Sequence, residues 1–159
     1  MAVDAFLKLG DLKGESPVEG HEDEIQLLSW SWGMMQQGTT HRGTGGGAGK
    51  VDVQDMTMVK YVDTASPNLT LACCNGKHFE EAILTVRKAG EKPLDYLKIT
   101  MTDLIITSVS PGGASGDENV IETFAVNFAK FAYSYQPQDN KGAKAGGAVE
   151  IEYDIAKNA

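Results

Sequence analysis

Apolar and polar residues alternate along much of this chain with a period of two, the mark of strands with one face buried and one in water. Val3, Ala5, Leu7 and Leu9 alternate with Asp4, Phe6 and Lys8, so a first strand covers residues 3–9 and stops at Gly10. A polar connection follows over residues 11–24, where Gly14, Pro17 and Gly20 sit among acidic groups. Strand character returns over Ile25–Trp32, with Leu28, Trp30 and Trp32 on one face and Leu27, Ser29 and Ser31 on the other. Val51–Tyr61, His78–Lys88, Tyr96–Val109, Val120–Gln136 and Val149–Ile155 bring the expected total to seven strands.

Two local patterns add detail. Within Val120–Gln136, Phe124, Val126 and Phe128 share one parity while Phe131, Tyr133 and Tyr135 take the other, which predicts a bulge near Ala129-Lys130. Ser66-Pro67 offers an N-cap followed by proline at the first helical position, and Gly76 offers a stop. One short helix is therefore expected at about residues 67–75, and the whole reads as a mainly β barrel or sandwich with one flanking helix.

Gln37–Val51 breaks the alternation, because Gly38, Gly43, Gly45, Gly46, Gly47 and Gly49 make regular structure costly in backbone entropy. A long hairpin loop is the expectation, and a phosphate-binding reading fails. GxxxxGK[ST] is absent, since Thr44 stands five residues before Gly49 and Val51 follows Lys50; GxGxxG fails at Ala48.

At 159 residues the chain is long enough for one well-buried domain. Its 14 basic and 22 acidic residues give a formal charge of −8, which repels a phosphate backbone and argues against a nucleic-acid partner. No run approaches the ~20 apolar residues of a membrane span. The opening MAVDAFLKLGDLKGES carries Asp4 and Lys8 within its apolar segment, so it reads as a strand and not as a signal peptide. Cys73 and Cys74 are adjacent and cannot close an ordinary loop with each other, which fits a reducing compartment and at least one packed side chain.

Candidate chemistry is sparse. His21-Glu22 begins like HExxH, but Ile25 stands where the second histidine belongs, so exposed or capping histidines are expected at positions 21, 41 and 78. No serine lies in GxSxG, and the acidic pairs Glu80-Glu81 and Asp117-Glu118 read as solvated surface. The sequon Asn68-Leu69-Thr70 falls inside the expected helix. Ser29 and Ser31 draw attention because their face stays small and polar behind two tryptophans that mark a packed core.

Several segments in fixed order resemble the Hcp family, the inner tube proteins of bacterial type VI secretion. They are MAVDAFLKLGDLKGES, SWSWG, GGGAGKV, KYVDTASPNL, CCNGKHFEEAILTVRKAG, YLKITM, VSPGGASGDENVIETFAVNFAKFAYSYQPQ and KGAKAGG. The resemblance implies a single tube domain over residues 1–159, a β-barrel of two antiparallel sheets with one short flanking helix, like a phage tail tube. It implies six-membered rings stacked into a hollow tube, with sheath proteins outside, a spike protein at the tip and effector proteins in the lumen. No enzyme activity, cofactor, metal or membrane insertion is implied. Synthesis in the bacterial cytoplasm and export without a signal peptide are. On that basis Ser29 and Ser31 are candidates to face the lumen, and Gly43, Gly45, Gly46, Gly47 and Lys50 are candidates to contact the next ring. A monomeric β-barrel binding a small apolar ligand is the competing expectation.

Overall fold

The computed structural model describes residues 3–38 and 50–159. Ten strands and one helix run in the order β1 (Val3–Leu9), β2 (Ile25–Leu27), β3 (Ser29–Ser31), β4 (Met34–Met35), β5 (Asp52–Val53), β6 (Met56–Tyr61), α1 (Ser66–Asn75), β7 (His78–Lys88), β8 (Leu94–Gly112), β9 (Ile121–Tyr135) and β10 (Val149–Asp154). They form two antiparallel sheets of unequal size: β4 with β5, and an eight-stranded sheet in the order β2-β1-β7-β8-β9-β6-β3 with β10 on β9.

The larger sheet curls almost closed, and the expected strand Ile25–Trp32 is what brings its edges together. That stretch is two strands, broken at Leu28. Ile25–Leu27 pairs with β1 at one edge of the sheet, while Ser29–Ser31 pairs with β6 at the other. The Leu28 amide donates to Val59 O at 2.7 Å across the join. A change of partner reverses the phase of the side chains, so Leu27 is buried and Leu28 is exposed, not aligned with the tryptophans. Val51–Tyr61 is likewise divided, at Gln54-Asp55, into β5 and β6.

The phase change in β9 is real, but no bulge marks it. Phe128 and Phe131 are both buried, and the register with β8 continues unshifted from Thr102↔Lys130 to Leu104↔Phe128. Asp103 lies between those pairs at φ +55°, a left-handed turn of backbone that a short polar side chain tolerates. β7 changes phase in the same row, since Phe79 and Ala82 are both buried. Three strands therefore bend together and keep their register, with pairing interrupted only at the row of Glu80, Asp103 and Ala129. The true register shift is in β8 at Thr107, between Ile106↔Val126 and Ser108↔Ala125.

The core fills the barrel: Leu7, Met56, Met58, Leu84, Ile99, Met101, Phe124 and Val126 have no exposed surface. Helix α1 closes one side with Leu69 and Ala72 buried, and it packs on β8. Gly76 stops it at φ +68°, as its sequence position implies. Its start differs from expectation. Ser66 is the first helical residue and Ala65 the N-cap, with no side chain capping the helix; just before it, Asp63 Oδ1 accepts the Ala65 amide at 2.9 Å. The Ser66 hydroxyl is buried and occupied, accepting from Lys60 Nζ at 2.8 Å. Cys73 packs against the core half-buried and Cys74 is exposed.

Residues 11–24 fold back over the outside of β1, and this covers a face expected to be wet. Phe6 is wholly buried, stacked at 4.5 Å on His21. His21 is neither exposed nor a helix cap: Nδ1 faces Glu24 Oε1 at 2.8 Å and Nε2 faces Asp95 Oδ2 at 3.0 Å. Arg87 Nε donates to the other oxygen of Asp95 at 2.6 Å and Arg87 Nη1 to Glu19 O at 2.7 Å. The imidazole thus pins the connection to β1 and β8. Gly14 is required there, because a Cβ would stand 2.6 Å from Glu24 O.

Candidate functional surface

Backbone alternation makes one face of the sheet uniform. On the inside, Trp30, Met58, Phe124 and Val109 form a row across β3, β6, β9 and β8. On the outside the same pairing aligns Ser29, Val59, Thr123 and Ser110, and beside them Ser31, Thr57, Ala125 and Ser108. Neither outer row contains a charge or a large side chain. With strands ~4.8 Å apart, four strands make this patch about 14 Å wide.

The patch is supported by what lies beneath and beside it. Trp32 packs edge-on to Phe131 at 4.9 Å and tilted to Phe128 at 5.8 Å, and its Nε1 donates to Gln54 O at 2.9 Å. Under the β6–β9 pairing, Lys60 and Glu122 lie opposite each other at 3.2 Å, with side chains 0% and 2% exposed. Lys60 Nζ also donates to Asp63 Oδ1 at 2.8 Å, tying the start of α1 to the sheet. The Thr107 bulge sets Ser108 and Ser110 in phase with the serines of β3.

Chemically the patch offers hydroxyls that both donate and accept, without an activating base. The described histidines are engaged elsewhere, His21 by Glu24 and Asp95 and His78 by Asp103 at 3.4 Å. Among the described residues there is no group of three or more histidine, cysteine, aspartate or glutamate side chains placed to hold a metal. Asp95 titrates below the ordinary aspartate range; partial burial pushes its pKa up, and donation by Arg87 and His21 outweighs that.

Ser29 and Ser31 are both exposed on β3 with the half-buried Trp30 between them. Lys50 is exposed just before β5, while Gly43, Gly45, Gly46 and Gly47 lie outside the described residues. The sequence reading missed Thr57, Val59, Ser108, Ser110, Thr123 and Ala125. Their alternation with Met56, Met58, Val109, Phe124 and Val126 was visible, but only the pairing register joins them to Ser29 and Ser31.

The chain is of the class of mainly β proteins built on one nearly closed, solid-cored barrel, here with a neutral, hydroxyl-rich outer patch. The family model described as "Type VI secretion system effector, Hcp" matches residues 6–135. Protein hcp1 of Pseudomonas aeruginosa is 50% identical over 159 residues, covering 99% of this chain and 98% of its own. The crystal structure of Hcp1 from Salmonella typhimurium is similar at 38% identity and a TM-score of 0.80, covering 100% of this chain and 99% of that one. A structure of a type six secretion system protein aligns with a TM-score of 0.93 at 26% identity, over 99% of each chain. This chain belongs to the Hcp family of type VI secretion proteins. Among the described residues no helix is long and apolar enough to cross a membrane.

Proposed function

We propose that six copies of this chain close into a ring and that rings stack into a hollow tube. The tube carries effector proteins in its lumen, with a sheath around it and a spike at its tip. It is made in the bacterial cytoplasm and leaves without a signal peptide, and it acts by assembly, not as an enzyme. The observation that carries this reading is the eight-residue outer patch from Ser29 to Ser110. A regular, uncharged face of small residues suits the wall of a passage, where cargo must be wetted and released without strong binding.

In this reading Ser29 and Ser31 line the lumen and the segment around Gly43, Gly45, Gly46, Gly47 and Lys50 contacts the next ring. Ring closure needs a heterologous contact repeated by rotation, with ~1,200–2,000 Å² buried at each stable joint. The competing monomeric ligand carrier has less support, because Phe124, Met101 and Ile99 occupy the barrel interior where an apolar ligand would sit. Native mass spectrometry at micromolar concentration tests the proposal: a ring weighs about 102 kDa, six times 17.0 kDa. A species of one or two subunits would refute it.

A further inference from the structure

The two ends of the β8–β9 hairpin carry opposite charge. At one end the β7–β8 turn and the loop over residues 139–144 enclose an open groove of about 620 Å³. Lys88, Lys92, Lys141 and Lys144 line it against the single carboxylate Glu91. The neighbouring Asp139 is turned to its own loop, accepting the amides of Lys141 at 2.8 Å and Ala143 at 3.0 Å. Four of only 14 basic residues thus collect at one place on a chain of charge −8. At the other end the turn over residues 113–120 exposes Asp117 and Glu118 and contains no basic residue.

Each end also leaves apolar side chains in water. Beside the lysines, Tyr133 pairs with Ile151 and Tyr135 with Val149, and all four are exposed. Beside the carboxylates, Tyr61, Val62, Val120 and Ile121 are exposed. Both ends therefore combine exposed apolar side chains with charge, the ingredients of a docking surface. Charge decides what each can meet. Joining like ends of two copies would set lysines against lysines or carboxylates against carboxylates, which repel, whereas joining unlike ends pairs them.

We propose that the lysine groove of one copy receives the Asp117-Glu118 turn of a second copy. The contact is head to tail. The two sites lie at opposite ends of the β8–β9 hairpin, so a contact that joins them is heterologous. It serves the stacking of rings alongside the contact of the segment over residues 43–50, and it rests on the ring reading above.

The test uses three variants of the full chain: Lys92→Glu with Lys141→Glu, Asp117→Lys with Glu118→Lys, and all four together. Native mass reports rings, while sedimentation and negative-stain microscopy report tubes. Each two-site variant is expected to keep ring mass and lose tubes by about tenfold or more, from like-charge contact. The four-site variant is expected to regain them, because the reversed ends again match. Wild-type tube content in both two-site variants, no recovery in the four-site variant, or a wild-type ring that never stacks would each overturn the proposal. A monomeric wild-type chain would instead overturn the ring reading beneath it.

Discussion

The hydroxyl of Thr107 donates to the carboxylate of Asp55 at 2.8 Å, so the residue at which β8 bulges against β9 is held by the corner between β5 and β6. The second oxygen of Asp55 accepts from Asn127 Nδ2 on β9 at 2.8 Å. One carboxylate therefore fixes the point at which Ser108 and Ser110 come into phase with Ser29 and Ser31. Asp55→Ala is expected to cost ~1–2 kcal/mol, at the modest end for charged hydrogen bonds because these are exposed. For a chain of this size that lowers Tm by ~2–8 °C. Thermal unfolding of Asp55→Ala, Thr107→Val and the double variant checks it, with the double expected to lose less than the sum. Strict additivity would mean that the contact does not hold the bulge.

Much of this fold was legible because alternation is a local property. β1, β7, β9 and β10 follow directly from it, and so do the stop at Gly76 and the placement of Ser29 and Ser31 opposite Trp30. What failed depends on partners far away in sequence. Leu28 breaks a strand because its two halves join opposite edges of one sheet. Phe6 and His21 are buried because residues 11–24 return over β1, which no period reveals. Lys60 occupies an apolar-parity position between Met58 and Val62, yet only pairing with Glu122 explains its burial. The candidate patch shares this division: two of its residues lie in one short motif, and the other six are assembled by register.

Removing the buried lysine should be severe. Lys60→Met leaves Glu122, 2% exposed, facing a neutral side chain, and Glu122 Oε1 has no hydrogen bond beyond its ion pair. Stranding a buried charge in this way costs ~3–5 kcal/mol. Adding Glu122→Leu should recover a large part of the loss, since replacing both partners with apolar groups removes the stranded charge. Urea unfolding at one fixed protein concentration gives the comparison. A double variant less stable than Lys60→Met would show that the loss comes from packing and not from the charge.

The latch over β1 should weaken in acid. Asp95 has a depressed pKa in the fold relative to its ordinary 3.8, so the unfolded chain binds its proton first as pH falls. The stabilisation is accordingly present above about pH 4 and is lost as pH drops through the folded value. Asp95→Asn should flatten that part of the curve of Tm against pH between about 5 and 2.5. Hydrogen exchange at the His21 and Asp23 amides, which donate within the 11–24 connection, should rise over the same range. Identical acid profiles for the parent and Asp95→Asn would remove Asp95 from the account.

Trp30 and Ser31 are neighbours on one strand with opposite consequences. Trp30 packs inward against the core and Ser31 stands exposed in the patch. Trp30→Ala opens space beside Met58 and should cost ~3 kcal/mol, the low end for an aromatic truncation because the ring is only half-buried. Ser31→Gln adds an amide into solvent and should change stability by no more than ~0.5 kcal/mol, leaving ring mass intact. In the proposed ring its effect falls on the passage: six longer side chains would project inward, and co-purification of a lumen cargo is expected to drop. Native mass and cargo retention measured on the same sample separate the two roles. Rings that fail to form in Ser31→Gln would place that face of β3 at a joint between subunits and not in the lumen.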